Sequence, residues 1–245
     1  MAGSDSPVAL VTGSTSGIGA AVVRRLVPDG YRVVVNSVRS VDAGEQLVAE
    51  FGADVAHYVQ GDVAVLEDAQ RLVRETVDRF GRLDVLVNNA GTTQVIPHGD
   101  LETATPDVFR RLYDVNVIGA WQLSVAAMPH LREVGGCVVN VSSLAGVRPS
   151  GSSIPYAVSK AALNHMTRLL ANVVGPQVRV NAVAPGLIDT PWTADWEDLR
   201  TAVAGMAPLG RSGQPDDVAE LVLAQIRSMY VTGEIWLVDG GLQLR

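Results

Sequence analysis

The segment Val8-Ala9-Leu10-Val11-Thr12-Gly13-Ser14-Thr15-Ser16-Gly17-Ile18-Gly19 decides the fold. Val8 to Thr12 has the length and apolarity of a buried strand, and an apolar helical pattern from Ile18 to Val27 follows the glycines. A glycine turn between a strand and a helix lets the backbone approach a phosphate group at the helix N-terminus. The glycine spacing here is G-x-x-x-G-x-G rather than G-x-G-x-x-G, so we assign the roles of the glycines by analogy. Gly13 would allow the tight turn, Gly17 the close approach of the backbone to a pyrophosphate, and Gly19 the close packing of the helix.

Strand-length apolar runs alternate with helical patterns through the rest of the chain, which predicts successive βαβ units. The further predicted strands are Tyr31 to Asn36, Val55 to Gln60, Leu83 to Val87, Cys137 to Val141, Val178 to Val183 and Ile235 to Val238. The further predicted helices are Val41 to Phe51, Asp62 to Phe80, Pro106 to His130, Pro155 to Val174 and Pro215 to Arg227. We therefore expect an α/β fold in which residues 1–245 form a single domain. Its predicted core is a doubly wound Rossmann fold, a seven-stranded parallel sheet with helices on both faces.

Composition excludes several classes of protein. The net charge is −7 and no basic run occurs, which disfavours binding to nucleic acid. The start, Met1 to Pro7, is short and polar, and no apolar run approaches the roughly 20 residues of a membrane span, so we expect a cytoplasmic protein. Cys137 is the only cysteine, and the four histidines lack metal-ligand spacing, so no metal site is predicted. No G-x-S-x-G motif of a serine hydrolase occurs.

The end of the second predicted strand bears on the choice of nucleotide. An acidic residue there would bind the ribose 2′-hydroxyl of NAD and repel a 2′-phosphate, but the chain continues Asn36-Ser37-Val38-Arg39-Ser40. Ser37, Arg39 and Ser40 offer hydrogen-bond donors and one cation to a phosphate. We therefore expect NADP(H) to be favoured over NAD(H). The alternative is that Arg39 is a solvated loop residue.

Tyr156 and Lys160 stand four residues apart in a predicted helix, so their side chains share one face. A cation beside a phenol favours the phenolate and would bring the tyrosine pKa toward working pH. Proton transfer by a side chain needs such a pKa. The pair alone is a weak signal, because a solvated helix face can carry the same two residues.

Several motifs together resemble those of the classical short-chain dehydrogenases/reductases, over nearly the whole chain. The glycine turn, the pair Tyr156 and Lys160, and Ser143 thirteen residues before Tyr156 match that family in order and spacing. Ser143, rather than Ser142, is thus our candidate serine. Further matching elements are Gly61-Asp62-Val63, Asn88-Asn89-Ala90-Gly91, Asn116, Pro185-Gly186 with Ile188 and Thr190, and Val238-Asp239-Gly240-Gly241.

The resemblance implies a role for each matching residue. Tyr156 would be the general acid or base, Ser143 would donate to the substrate oxygen, and Lys160 would lower the tyrosine pKa and hold the nicotinamide ribose. Asn116 would hold a water that links Lys160 to solvent. The implied cofactor-binding residues are Gly13, Ser14, Thr15, Ser16, Gly17, Ile18, Gly19, Ser37, Arg39, Ser40, Asp62, Val63, Asn89, Ala90, Gly91, Tyr156, Lys160, Pro185, Gly186, Ile188 and Thr190.

Substrate selection is expected in three segments: Thr92 to Leu101, Ala145 to Pro155, and a lid from Leu187 to Gly210. The lid contains Trp192 and Trp196, which suit an apolar or ring-containing substrate, unless they only pack the lid onto the body.

The predicted function is an oxidoreductase that transfers a hydride between NADP(H) and a carbonyl or secondary alcohol. The resemblance favours a ketone or 3-oxoacyl reductase, near the 3-oxoacyl-[acyl-carrier-protein] reductase branch, working as a homo-oligomer, either a tetramer or a dimer. Two alternatives stay open: a non-catalytic regulator that senses NADP(H), and an epimerase or dehydratase on the same scaffold.

Overall fold

The structure, a computed structural model, describes residues 5–245, so the first four residues of the polar start lie outside the described range. The strands are β1 (Val8–Val11), β2 (Arg32–Ser37), β3 (Ala56–Gln60), β4 (Val85–Asn88), β5 (Cys137–Val141), β6 (Arg179–Pro185) and β7 (Ile235–Val238). The α-helices are α1 (Gly17–Leu26), α2 (Val41–Phe51), α3 (Leu66–Phe80), α4 (Pro106–Tyr113), α5 (Ala120–Val134), α6 (Ile154–Val174), α7 (Glu197–Met206) and α8 (Pro215–Arg227).

The seven strands form one parallel sheet in the order β3-β2-β1-β4-β5-β6-β7, which confirms the predicted sheet. The strand order reverses between β1 and β4. In open α/β sheets the crevice outside the carboxyl ends of the strands at such a reversal is the usual place for a ligand. The topology therefore locates the candidate site before any side chain is considered.

Helices cover both faces of the sheet, as the sequence predicts. On β1, Ala9 and Val11 point to a core shared with α1, α2 and α8, whereas Val8 and Leu10 point to a core shared with α3, α5 and α6. This two-residue alternation of fully buried side chains explains why β1 is apolar at every position.

Most predicted boundaries lie within two residues of the observed ones, and three helical regions differ by more. The third helix begins at Leu66 rather than Asp62, because the Asp62 carboxylate accepts a hydrogen bond from the Ala64 N–H (3.0 Å) and holds a turn. The helix predicted from Pro106 contains a π-helical turn at Asp114–Gly119 and continues to Val134. Helix α7 was not predicted, because the whole segment from Leu187 to Gly210 was assigned to a lid; only Val203 of its ten residues is buried.

Candidate active site

A cleft of about 1380 Å³ opens at the carboxyl edge of the sheet. Its nucleotide end is formed by the glycine turn and by the chain that follows β2, β3 and β4. Its other end is formed by the chain after β5 and β6, by α6 and by the segment before and within α7. The cleft is therefore where the strand topology locates a ligand, and it brings most of the predicted site residues together.

The glycine turn has the backbone that its glycines were predicted to allow. Gly13 and Gly17 adopt positive φ angles of +59° and +53°, and a Cβ on Gly13 would lie 2.9 Å from Ala90 Cα. A Cβ on Gly19 would lie 2.7 Å from Gly13 O, so this glycine permits the close packing of α1. The turn thus presents backbone N–H groups to the cleft with no side chain in between.

Thr12 holds the glycine turn against the chain that follows β4, a role that the sequence analysis missed. Its hydroxyl oxygen accepts hydrogen bonds from the N–H groups of Asn89 (3.1 Å) and Ala90 (3.0 Å). The Asn89 amide donates in return to the carbonyls of Thr12 and Gly13, both at 2.9 Å. A threonine at the end of a strand and before a glycine turn is the signal that could have identified this role.

Not every residue of the predicted cofactor set faces the cleft. Gly13, Ser16, Gly17 and Ile18 line it, whereas Ser14, Thr15 and Gly19 do not. Ser14 is fully buried, and its hydroxyl donates to Val11 O (2.6 Å) and accepts from Asn36 N–H (3.1 Å). The Ser14 side chain therefore joins β1 to β2.

The end of β2 carries no carboxylate, as the sequence shows. Asn36 is buried, where its amide donates to Val59 O and Gly61 O and accepts from Gly13 N–H at 3.2 Å. The Ser37 hydroxyl is hydrogen-bonded to the Tyr58 hydroxyl at 2.9 Å. Arg39 is exposed on the cleft, and within residues 5–245 no hydrogen bond or ion pair engages its guanidinium. The one free cation at this end of the described cleft is thus where a phosphate would be expected.

Residues after β3 and β4 complete the nucleotide end. Asp62, Val63, Asn89, Ala90 and Gly91 all line the cleft. A Cβ on Gly91 would lie 3.3 Å from the Asn116 amide oxygen and 3.6 Å from Lys160 Nζ. Glycine at this position therefore leaves open the space beside the lysine ammonium.

Helix α6 carries Tyr156 and Lys160 on one face. The helix begins after Ser153, whose hydroxyl accepts from Tyr156 N–H at 3.3 Å, and Pro155 occupies its first turn. Lys160 Nζ lies 5.8 Å from the centre of the Tyr156 ring and donates to Val141 O at 2.9 Å. Lys160 is also the only lysine in a chain whose other basic residues are arginines and four histidines.

Burial shifts the pKa values of both residues. It lowers the pKa of Lys160 from 10.5 to about 8, since the ammonium is almost fully removed from water. It raises the pKa of Tyr156 above its ordinary value, and a hydrogen bond with the Ser143 hydroxyl acts in the opposite direction. The sequence predicted a lowered pKa for Tyr156, which is wrong for this structure: burial is the main cause of the raised pKa, and the Lys160 ammonium is hydrogen-bonded to Val141 O.

The two adjacent serines after β5 have different surroundings. Ser142 is buried, and its hydroxyl donates to Lys160 O at 3.3 Å, so it fastens the strand end to α6. Ser143 lines the cleft, and its oxygen accepts from Ala145 N–H at 3.1 Å at the start of the short helical turn Leu144–Gly146. Of the two serines, Ser143 thus has its hydroxyl beside Tyr156.

Asn116 lies in the π-helical turn and is buried. Its amide oxygen accepts from Thr92 N–H at 2.8 Å, and its amide nitrogen donates to Thr92 O and to the Ser159 hydroxyl, both at 3.0 Å. Asn116 thus ties the substrate segment that begins at Thr92 to the helix of Tyr156. Among the described contacts it makes no hydrogen bond to Lys160, so its predicted water link stays a prediction.

The chain after β6 faces the glycine turn across the cleft. Pro185, Gly186, Ile188 and Thr190 line the cleft. A Cβ on Gly17 would lie 3.2 Å from the Thr190 methyl group, and Gly186 N–H donates to Val238 O at 3.0 Å. The segment is therefore held to β7 on one side and reaches the nucleotide end on the other.

Trp192 follows in the short turn Pro191–Thr193 and lies edge-on to Tyr156, with ring centres 6.5 Å apart and planes at 89°. Trp196, Leu199 and Met206 continue this wall of the cleft. Among residues 5–245 no cluster of three metal-binding side chains occurs, and no helix there is long and apolar enough to cross a membrane.

A family model described as enoyl-(acyl carrier protein) reductase matches residues 13–243. The granaticin polyketide synthase putative ketoacyl reductase 2 of Streptomyces violaceoruber is 58% identical over 98% of this chain and 97% of the relative.

Two solved structures share the fold. A short-chain dehydrogenase/reductase from Burkholderia xenovorans is 37% identical, with a TM-score of 0.92 over 98% of this chain and 99% of the other. ElxO with NADP bound is 27% identical, with a TM-score of 0.90 over 98% of this chain and 100% of the other. The matches extend over the glycine turn, the Tyr156 helix and the chain after β6. The chain is an oxidoreductase that belongs to the short-chain dehydrogenase/reductase family.

Proposed function

We propose that this chain reduces a ketone or 3-oxoacyl group with NADPH and that Tyr156 is the proton donor. The observation that carries the proposal is the meeting of Ser143, Tyr156 and Lys160 at one end of a cleft whose other end is a glycine turn. The relative at 58% identity, whose name is that of a ketoacyl reductase, supports the carbonyl substrate.

The residues of the cleft fit a dinucleotide. The open backbone of the glycine turn would hold the pyrophosphate, and Asp62 and Val63 would hold the adenine. The space left by Gly91 would admit the nicotinamide ribose next to Lys160. When bound, the nicotinamide supplies the hydride for the carbonyl carbon.

The preference for NADP(H) is proposed from Arg39. Its unpaired guanidinium and the neighbouring Ser40 hydroxyl suit a 2′-phosphate, and no carboxylate of β2 opposes one. The structural neighbour ElxO has NADP bound, which supports the same choice.

Two side chains of this protein then act on the carbonyl oxygen, and a third acts on Tyr156. The Ser143 hydroxyl donates a hydrogen bond where negative charge develops. Tyr156, whose pKa is raised by burial, keeps its proton at neutral pH and can donate it to the new alkoxide. Lys160, with a pKa of about 8, is mostly an ammonium at pH 7 and stabilises the tyrosinate that is left.

The remaining sequence predictions enter as part of the same proposal. Residues 1–245 would act as one cytoplasmic catalytic domain within a homo-oligomer. Residues 187–210 would close over the substrate, and Asn116 would hold the water that resupplies protons to Lys160.

The test compares Tyr156→Phe with the parent on a panel of ketones, a 3-oxoacyl thioester and an enoyl thioester, by following NADPH oxidation. We expect the parent to reduce a carbonyl and Tyr156→Phe to lose about 10²–10⁴-fold in kcat/KM. Tyr230→Phe is the matched control, because Tyr230 is fully exposed outside the cleft. A parent that oxidises no NADPH would contradict the reductase, and product formed without net NADPH consumption would favour the epimerase or dehydratase alternative.

A further inference from the structure

Trp192 belongs to the substrate wall and packs against the proposed proton donor in a defined geometry. Its ring is perpendicular to that of Tyr156, and 49% of the residue is exposed. Edge-to-face packing uses one part of the indole surface, and the exposed part remains available to a ligand in the cleft. A substrate with its carbonyl at Tyr156 would therefore touch Trp192 with the atoms next to that carbonyl.

The backbone around Trp192 is held by four hydrogen bonds, of which the one from Thr193 to Ile188 O is buried. The Thr193 hydroxyl donates a hydrogen bond to Ile188 O at 2.7 Å and accepts one from Thr190 N–H at 3.2 Å. Arg200, on the following helix α7, donates to Thr193 O (2.5 Å) and Ala194 O (2.7 Å). These bonds all lie within residues 188–200, so Trp192 is held in a defined position relative to its own segment, and contact with the indole costs a ligand little local ordering there.

Apolar side chains form much of the remaining lining at this end of the cleft, beside the hydroxyls of Thr92, Thr93 and Ser152. Ile96 and Pro97 belong to the segment after β4, Leu144 follows Ser143, and Val203 and Met206 come from α7. Ile96 is itself held in place, since its N–H donates to Ser152 O at 2.8 Å. Such walls favour a compact apolar body over a polar chain.

The charges of the cleft are separated between its two ends. The described lining of the cleft contains one arginine, Arg39 at the nucleotide end, and one lysine, Lys160, which is buried beneath Tyr156. The imidazole of His98, at the substrate end, is hydrogen-bonded to Gly151 O at 3.2 Å. The substrate end instead carries three exposed carboxylates, which make no ion pair with any described residue: Asp195, Glu197 and Asp198. A substrate with a phosphate or carboxylate at this end would be repelled.

From this arrangement we infer that the substrate is an uncharged ring ketone and that Trp192 selects it by packing against the ring. This inference rests on the proposed function. It makes Trp192 a specificity-determining residue and disfavours acyl groups carried on an anionic phosphopantetheine thioester.

The test measures kcat/KM with NADPH for 2-tetralone, for the open-chain ketone 2-decanone of equal carbon number, and for acetoacetyl-CoA as the anionic thioester. We expect the parent to prefer 2-tetralone by at least about tenfold over both other probes. Trp192→Leu should lose about tenfold or more on 2-tetralone with little change on 2-decanone, and Trp192→Phe should retain most of the preference.

Trp121→Leu is the matched control, because Trp121 is similarly exposed on α5 but does not line the cleft. Equal rates on the two ketones, equal effects of Trp192→Leu and Trp121→Leu, or acetoacetyl-CoA as the best substrate would each overturn the inference. Those outcomes leave the proposed reductase intact if turnover still requires Tyr156. No turnover of any probe by the parent would instead contradict the proposed function itself.

Discussion

The two ends of the cleft are built in different ways. At the nucleotide end, Thr12, Ser14 and Asn36 are buried, and their polar groups form hydrogen bonds that join the ends of the strands. Gly13 and Gly17 bring backbone to the surface of the cleft beside them. At the substrate end, Trp192 and Met206 present exposed side chains from a segment with few buried residues. The first end is thus determined by the sheet, and the second by side chains of a segment outside it.

This difference explains why the class of cofactor can be predicted from the sequence whereas the substrate cannot. A backbone cradle needs glycine at defined positions, and those glycines mark the sequence directly. An apolar wall can be made from many combinations of residues. If the two ends are independent, a substitution confined to one end should leave ligand binding at the other end unchanged.

The largest effect is expected at Lys160, which adjoins both ends. Lys160→Met removes the ammonium beside Tyr156 and, in the proposed function, the group that holds the cofactor ribose, so kcat/KM should fall about 10²–10⁴-fold. NADPH binding should weaken as well, which fluorescence titration of the Kd can measure. A loss of turnover with an unchanged Kd would assign Lys160 to the substrate end alone.

The burial of Lys160 also predicts how the free energy of unfolding depends on pH. Its pKa is about 8 in the fold and 10.5 without burial, so between these values the unfolded chain binds more protons. The free energy of unfolding should therefore rise with pH across this window, by up to roughly 3 kcal/mol from this group. Denaturant titrations should show that the parent gains stability relative to Lys160→Met over the same window.

Because Lys160 is the only lysine, its titration can also be observed directly. Protein labelled at lysine alone gives one side-chain NMR signal, which we expect to titrate near pH 8. A midpoint near 10.5 would show that the ammonium is not desolvated as the structure indicates.

A further prediction concerns only the nucleotide end. Arg39→Ala removes the unpaired guanidinium near Ser40, so NADPH binding should weaken about 10–100-fold while NADH binding changes little. Arg168→Ala is the matched control, since Arg168 is exposed on α6 and does not line the cleft. Equal effects of Arg39→Ala on both nucleotides would remove the basis for the NADP(H) preference.

The sequence predicted the sheet and its helices apart from α7, because parallel strands buried on both faces and a glycine turn leave strong local patterns. It did not predict the role of Thr12, whose partners Asn89 and Ala90 lie far along the chain. It also gave the wrong direction for the Tyr156 pKa, since the sequence shows a neighbouring cation but not the degree of burial. The contact of Trp192 with Tyr156 likewise depends on tertiary packing.

The smallest effect is expected from Gly205→Ala, within α7 at the substrate end. Nothing lies within 4 Å of the place where the new Cβ would be, and Gly205 does not adopt a positive φ angle. Alanine should therefore stabilise α7 by about 0.5–1 kcal/mol through its higher helix propensity. Hydrogen exchange should slow across residues 197–206, while the Kd for NADPH stays unchanged. If the Kd changed too, the substrate segment would be coupled to the nucleotide end, and the separation of the two ends would not hold.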